Sequence, residues 1–140
     1  MGLSQYAAFR DQSAECTPRI DLLLMLFDET MRKLEQAREA LSGKGREKAE
    51  PLVRRAQLLI GGLAAGVIPN ADEVANNCLR LYEFAIHRLG SCTLAGVEDA
   101  LRVLRPLWEG FQGTRDEAVA LERAGFIPPA PAPQAFEATA

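Results

Sequence analysis

The stretch Thr17-Pro18-Arg19-Ile20-Asp21-Leu22-Leu23-Leu24-Met25-Leu26-Phe27-Asp28 decides the fold class. Thr17 offers the side-chain oxygen of a helix N-cap. Pro18 suits the first helical position, where its missing N–H would have no partner anyway, and Asp21 stands at the positive end of the helix dipole. From Leu22 to Phe27 every residue is apolar. Such a run covers all sides of an α-helix, whereas a helix on the surface of a small bundle needs only one apolar stripe. The surplus calls for cover from further helices, from the chain's own N-terminus or from a partner.

Downstream, the same helix keeps a bundle seam. Leu23, Phe27, Thr30, Leu34, Ala37 and Leu41 follow a 4-3-4-3-4 spacing, and Ser42-Gly43-Lys44-Gly45 supplies the glycine that ends it. A second helix from about Glu47 turns Val53, Ala56, Leu59 or Ile60, Leu63 and Val67 inward. Its end is rich in glycine (Gly61, Gly62, Gly66), which permits close backbone approach. Pro69-Asn70-Ala71-Asp72 reads as a turn with Asp72 capping a third helix, whose inner face holds Cys78, Leu81 or Tyr82, Ala85 and Leu89. Gly90-Ser91-Cys92-Thr93 breaks it. Thr93 caps a fourth helix with Val97, Leu101, Leu104, Trp108 and Phe111 on its seam.

Pro106 is the anomaly there. It removes the hydrogen bond to the carbonyl of Arg102, at a cost of about 3 kcal/mol inside a helix, so a kink near Arg102 or a break is expected. A short last helix near Arg115 to Arg123 follows, then a Pro/Ala tail that reads as extended. Strand signals are almost absent. Short connections make successive helices antiparallel, so the expected fold is all-α: an antiparallel up-down four-helix bundle with a short extra C-terminal helix. The expected division is an N-terminal cap segment over 1–15, the bundle over 16–125 and the tail over 126–140.

The totals narrow the function classes. At 140 residues, 48% of them hydrophobic and 25% charged, the chain has the composition of one globular domain. A net charge of −3 with no basic stripe argues against nucleic acid as partner; Arg54-Arg55 is the densest basic pair and reads as a solvated helix face. Cys16, Cys78 and Cys92 form no CxxC, and the one histidine, His87, does not complete a zinc set with them. Reduced, buried thiols are expected. The first residues lack a basic region leading into an apolar core, and the longest apolar run, Leu58 to Ile68, falls short of the ~20 residues of a membrane span. A cytoplasmic protein without membrane insertion is expected.

Catalysis finds little to work with. Glu35, Glu39 and Glu47 sit among Arg and Lys at exposed helical positions, where paired surface charges are the ordinary reading. No Glu-x-x-His motif is present. His87-Arg88-Leu89-Gly90-Ser91 resembles the His-x-Leu-Lys-Gly-Ser motif of histidine phosphotransfer bundles. It lacks the Lys, and its glycine falls one residue early, where it ends a helix instead of making room for a phosphoryl group.

A longer pattern runs from Tyr6 to about Phe111. Tyr6 is followed by Thr17-Pro18 and by Leu23-Leu24-Met25-Leu26-Phe27-Asp28. Arg55-Ala56-Gln57-Leu58-Leu59-Ile60 with Leu63 comes next. Ala75-Asn76-Asn77-Cys78-Leu79-Arg80-Leu81-Tyr82-Glu83-Phe84 with His87-Arg88-Leu89 makes the third block, and Leu104-Arg105-Pro106-Leu107-Trp108 the fourth. In this order and with these gaps the blocks resemble the flagellar secretion chaperone FliS family, the export chaperones of flagellin. Departures are Phe27 for the usual Tyr, Cys78 for Leu, Glu29-Thr30 for a small pair, and Pro106 inside the last block.

The resemblance implies a non-enzymatic chaperone that needs no cofactor. It would bind the disordered C-terminal segment of flagellin in apolar grooves, keep it from polymerising, and deliver it to the flagellar export gate protein. The apolar residues off the seams are then the expected client contacts: Ile20, Leu22, Leu24, Met25, Met31, Leu58, Leu79 and Ile86, with the methionines as adaptable ones. Tyr6 and Phe9 are the expected N-terminal cap of the groove. A monomer or weak homodimer is expected. Two other readings stand beside this one: a phosphotransfer-like bundle acting through His87, and a structural bundle that self-associates through its apolar surplus.

Overall fold

The computed structural model describes residues 17–43 and 45–129. The described residues form five α-helices and no strand: α1 (Arg19–Ser42), α2 (Arg46–Ala65), α3 (Glu73–Leu89), α4 (Leu94–Gly113) and α5 (Arg115–Arg123). The expected helical bundle with a short last helix is what the chain forms.

The helix ends follow local chemistry. The Pro18 carbonyl accepts from the Leu22 amide at 3.3 Å, which makes Pro18 the residue preceding the helix rather than its first member. The freed amide of Arg19 is taken up by the carboxylate of Glu122, 3.2 Å from both oxygens, so this cap comes from α5. At α3 the expected cap is present, with Asp72 Oδ1 accepting from the Ala75 amide at 2.7 Å. Thr93 does the same for α4, its Oγ1 accepting from the Gly96 amide at 3.1 Å. Gly90 closes α3 as its C-cap. α4 is not broken at Pro106: the helix runs on to Gly113, and both Pro106 and Arg102 lie on its exposed side, where water can serve the orphaned carbonyl.

The described residues fall into two compact units. In the first, 23–113, one apolar cluster is shared by four helices. It contains Phe27, Met31, Leu34 and Ala37 of α1, Val53, Ala56, Ile60 and Leu63 of α2, Cys78, Tyr82, Ala85 and Leu89 of α3, and Val97, Ala100, Leu101 and Leu104 of α4. The Phe27 ring is fully buried in it, 6.2 Å from the Tyr82 ring and 5.9 Å from that of Phe111, in tilted pairs. Thr30, the one buried polar side chain among the described residues, is satisfied by donating to the Leu26 carbonyl at 2.7 Å. Direct bonds tie neighbours together: Arg88 of α3 to Asp99 of α4, Gln57 of α2 to the Ile86 carbonyl of α3, and Arg105 of α4 to Glu35 of α1.

Gly96 explains how closely α3 and α4 approach. A Cβ at this position would lie 2.3 Å from the carbonyl oxygen of Arg88, so only glycine fits here.

The second unit joins the first turn of α1, through Leu22, to residues 114–129. Ile20 and Val119 are its buried side chains, and Arg115 pairs with both oxygens of Asp21 at 2.7 and 2.9 Å. That pairing holds the Asp21 carboxyl below the usual carboxylate range, the Arg115 hydrogen bond being the main cause.

Candidate functional site

Among the described residues, the groups able to do covalent chemistry are either buried or exposed to solvent. Cys78 and Cys92 are free and buried, and burial pushes the Cys78 thiol up, helped by the negative charge of Asp72. A thiol so placed is a poor nucleophile. Burial likewise raises the Tyr82 phenol above its usual range. His87 is exposed in the last turn of α3, and its carbonyl accepts from the amide of Gly90 at 3.1 Å. Gly90 therefore closes the helix and does not open a space beside the imidazole. Among the described residues no three of His, Cys, Asp and Glu are grouped to hold a metal ion, and no helix is long and apolar enough to cross a membrane.

What the bundle does present is apolar surface. Leu58 of α2 is 69% exposed and Met25 of α1 is 66% exposed, both far outside the core. On α2, Gln57, Leu58, Gly61 and Ala65 share one flank by helical spacing. The Gln57 Nε2 donates to the Ile86 carbonyl at 3.0 Å, which turns that flank toward α3. On α3 the matching flank carries Leu79 and Ile86, both half-buried. Above Gly61 there is open space: a Cβ there would meet nothing within 4 Å. Leu58 and Gly61 thus stand on an open flank of α2, next to the side on which Gln57 is tied to α3. Gly62, next to it, faces the other way, in contact distance of the Leu26 side chain of α1.

The expected contact residues therefore divide. Leu58 is exposed on α2, and Leu79 and Ile86 are half-buried on α3. Met25 and Leu22 are exposed on α1, and Leu24 is half-buried beside them. Met31 and Ile20 are both buried in this structure, so neither adds to its exposed apolar surface. Met31 stands one turn beyond Phe27 on α1 and joins the central cluster, so that helix buries a broader stripe than its seam implies. Ile20 is covered in the second unit, flanked by the two residues that bind α5. Tyr6 and Phe9, the expected cap, lie outside the described residues.

Sequence reasoning missed Val74 and Phe84, both exposed on α3. The signal was present: Val74, Asn77, Leu81 and Phe84 repeat a 3-4-3 spacing beside the core seam of Cys78, Tyr82, Ala85 and Leu89. It also missed that Glu35 bonds across the bundle to Arg105 as well as along its own helix to Arg38.

No curated protein and no solved structure gave a significant match to the chain. One family model does match, that of the flagellar protein FliS, over residues 2–121. With a match over most of its length, and with a helical bundle of the expected build, the chain belongs to the FliS family of flagellar proteins.

Proposed function

We propose that this protein is a non-enzymatic export chaperone that binds the C-terminal segment of flagellin, keeps it from polymerising in the cytoplasm and passes it to the flagellar export gate. Family membership supports a flagellar export chaperone in general terms. The observation that carries the finer reading is the open flank of α2, where Leu58 stands 69% exposed one turn before a glycine with open space above it.

The physical logic is that of a helix laid into a groove. A flagellin segment that folds on binding has to offset about 2–5 kcal/mol or more of ordering. That calls for a partner with apolar side chains already held open to solvent by a rigid frame. Met25 and Leu58 meet the requirement, since each stands on a helix whose opposite side is locked into the core. The glycine beside Leu58 leaves room for a client side chain to come near the backbone of α2.

Fluorescence anisotropy with a labelled C-terminal flagellin segment from the same genome tests this reading. Each aliphatic side chain fully buried on binding contributes about 1.5–3 kcal/mol, and 1.4 kcal/mol is tenfold in affinity. The double variant Met25→Ser, Leu58→Ser is expected to bind on the order of a hundredfold more weakly while its circular dichroism is unchanged. Unchanged affinity would overturn the reading.

A further inference from the structure

Among the described residues, the contacts of α5 are mostly charged. One face of α5 carries Arg115, Val119 and Glu122, spaced four and three residues apart. Arg115 grips Asp21 with two hydrogen bonds, and Glu122 accepts from the amide of Arg19. Between these two polar ties stand Ile20 and Val119, the buried side chains of this unit. A further tie comes from beyond the helix, where the Arg19 guanidinium donates to the carbonyls of Pro128 and Pro129 at 3.4 Å. The turn between is a Schellman closure. Gly125 takes φ +83°, its amide bonds to the Glu122 carbonyl, and the amide of Phe126 bonds to the Leu121 carbonyl. Phe126 and Leu121, the apolar pair of that motif, are both left exposed.

This helix has nine residues, fewer than the ~12–15 an isolated helix needs in water. It persists only while docked, and its docking depends on charge. Arg115, Asp21 and Arg19 are all partly open to solvent, so salt screens their attraction: the screening length is about 30 Å at 0.01 M salt and 3 Å at 1 M. Arg19 and Asp21, the residues that bind α5, flank the buried Ile20 and precede the exposed Leu22, and without Glu122 the first amide of α1 loses its cap.

We propose that α5 is a charge-held latch over the first turn of α1, and that its release uncovers Ile20, two residues before the exposed Leu22, for the client. The proposal rests on the chaperone reading above. It also gives a use to Ile20, an apolar residue off the seams whose burial the bundle core does not require. Among the described residues, the charged groups at the latch are Arg19 and Asp21 on α1, and Arg115, Asp116 and Glu122 on α5; Asp116 accepts a longer bond from Arg115.

The test uses the full chain and two readouts. Hydrogen exchange is followed in 0.05 M and 1 M NaCl for the wild type, Arg115→Ala and Arg115→Lys. Affinity for the labelled flagellin segment is measured alongside at one salt concentration. The latch predicts that exchange at residues 19–22 and 115–123 rises tenfold or more together, in 1 M NaCl and in Arg115→Ala. α2, α3 and α4 keep their rates, and Arg115→Lys restores part of the protection. Arg115→Ala is then expected to bind the segment at least threefold more tightly. Unchanged exchange, exchange that rises in all helices at once, or faster local exchange without tighter binding would each overturn the latch. Failure of both wild type and variant to bind the segment would overturn the chaperone reading itself, which marks that failure apart from an equal affinity of the two.

Discussion

The indole N–H of Trp108 donates to Oδ1 of Asp28 at 2.8 Å, joining the late turns of α4 to the third turn of α1. A second bond between the same helices, Arg105 to Glu35, lies further along α1 and further back on α4, as antiparallel packing requires. Trp108→Phe keeps an aromatic ring and deletes the donor. The contact is exposed, so the loss is expected at about 1 kcal/mol in urea unfolding with an unchanged slope. A change below 0.3 kcal/mol, an order-of-magnitude bound, would mean that water replaces the bond at no cost.

Phe27 is fully buried between the rings of Tyr82 and Phe111. Phe27→Ala opens a cavity in the cluster and is expected to cost about 3–5 kcal/mol. Leu58→Ser, by contrast, removes a side chain that touches solvent and is expected to stay within about 0.5 kcal/mol of the wild type. Comparable losses from the two would mean that Leu58 is part of the core.

Two glycines make opposite predictions. Gly96→Ala forces a methyl group against the Arg88 carbonyl, so α3 and α4 must separate, at a cost of about 1–3 kcal/mol. Gly61→Ala places its methyl in open space inside α2 and gains helix propensity, about 0.8–1 kcal/mol of added stability. Thermal unfolding of the two variants checks the contrast. Equal shifts in one direction would contradict it.

The helical seams were legible in the sequence because each repeats the 3.6-residue period with few interruptions. Phe27, Thr30, Leu34 and Ala37, then Val53, Ala56 and Leu63, then Cys78, Ala85 and Leu89, are buried as their spacing implies, and the pair Leu81 or Tyr82 resolves to Tyr82. The width of the buried stripe was not legible, since it depends on how closely each neighbour approaches. Met31 is the example on α1, and Ala100 enters the core of α4 for the same reason. Nor does periodicity reveal a cap supplied from a distance. Glu122 reaches the Arg19 amide across more than a hundred residues of chain, and Ile20 is covered at that same joint. For the candidate site, the exposed state of Leu58 and Met25 followed from their off-seam positions. The tie from Gln57 to Ile86 and the open space at Gly61 were not legible in the sequence.

The Asp21–Arg115 pair gives the protein a dependence on acid whose sign is fixed. The Asp21 carboxyl is held below its ordinary value of 3.8 by Arg115, so its contribution to stability is present above that pH and is lost as the pH falls through the lowered value. The melting temperature of Asp21→Asn is therefore expected to lie slightly and evenly below the wild type from pH 5 to 8, in order-of-magnitude terms for a surface pair, and the two should converge below pH 3.8. A gap that widens on acidification would contradict the pairing.

The central claim is that an apolar surface held open on this bundle receives the C-terminal segment of flagellin. Calorimetric titration of the full chain with that segment from the same genome, repeated at several temperatures, tests it most directly. The account predicts one-to-one binding with a large negative heat-capacity change, the mark of apolar burial with coupled folding, and loss of that signal in Met25→Ser, Leu58→Ser. Absence of binding, or binding whose heat capacity does not change, would contradict it.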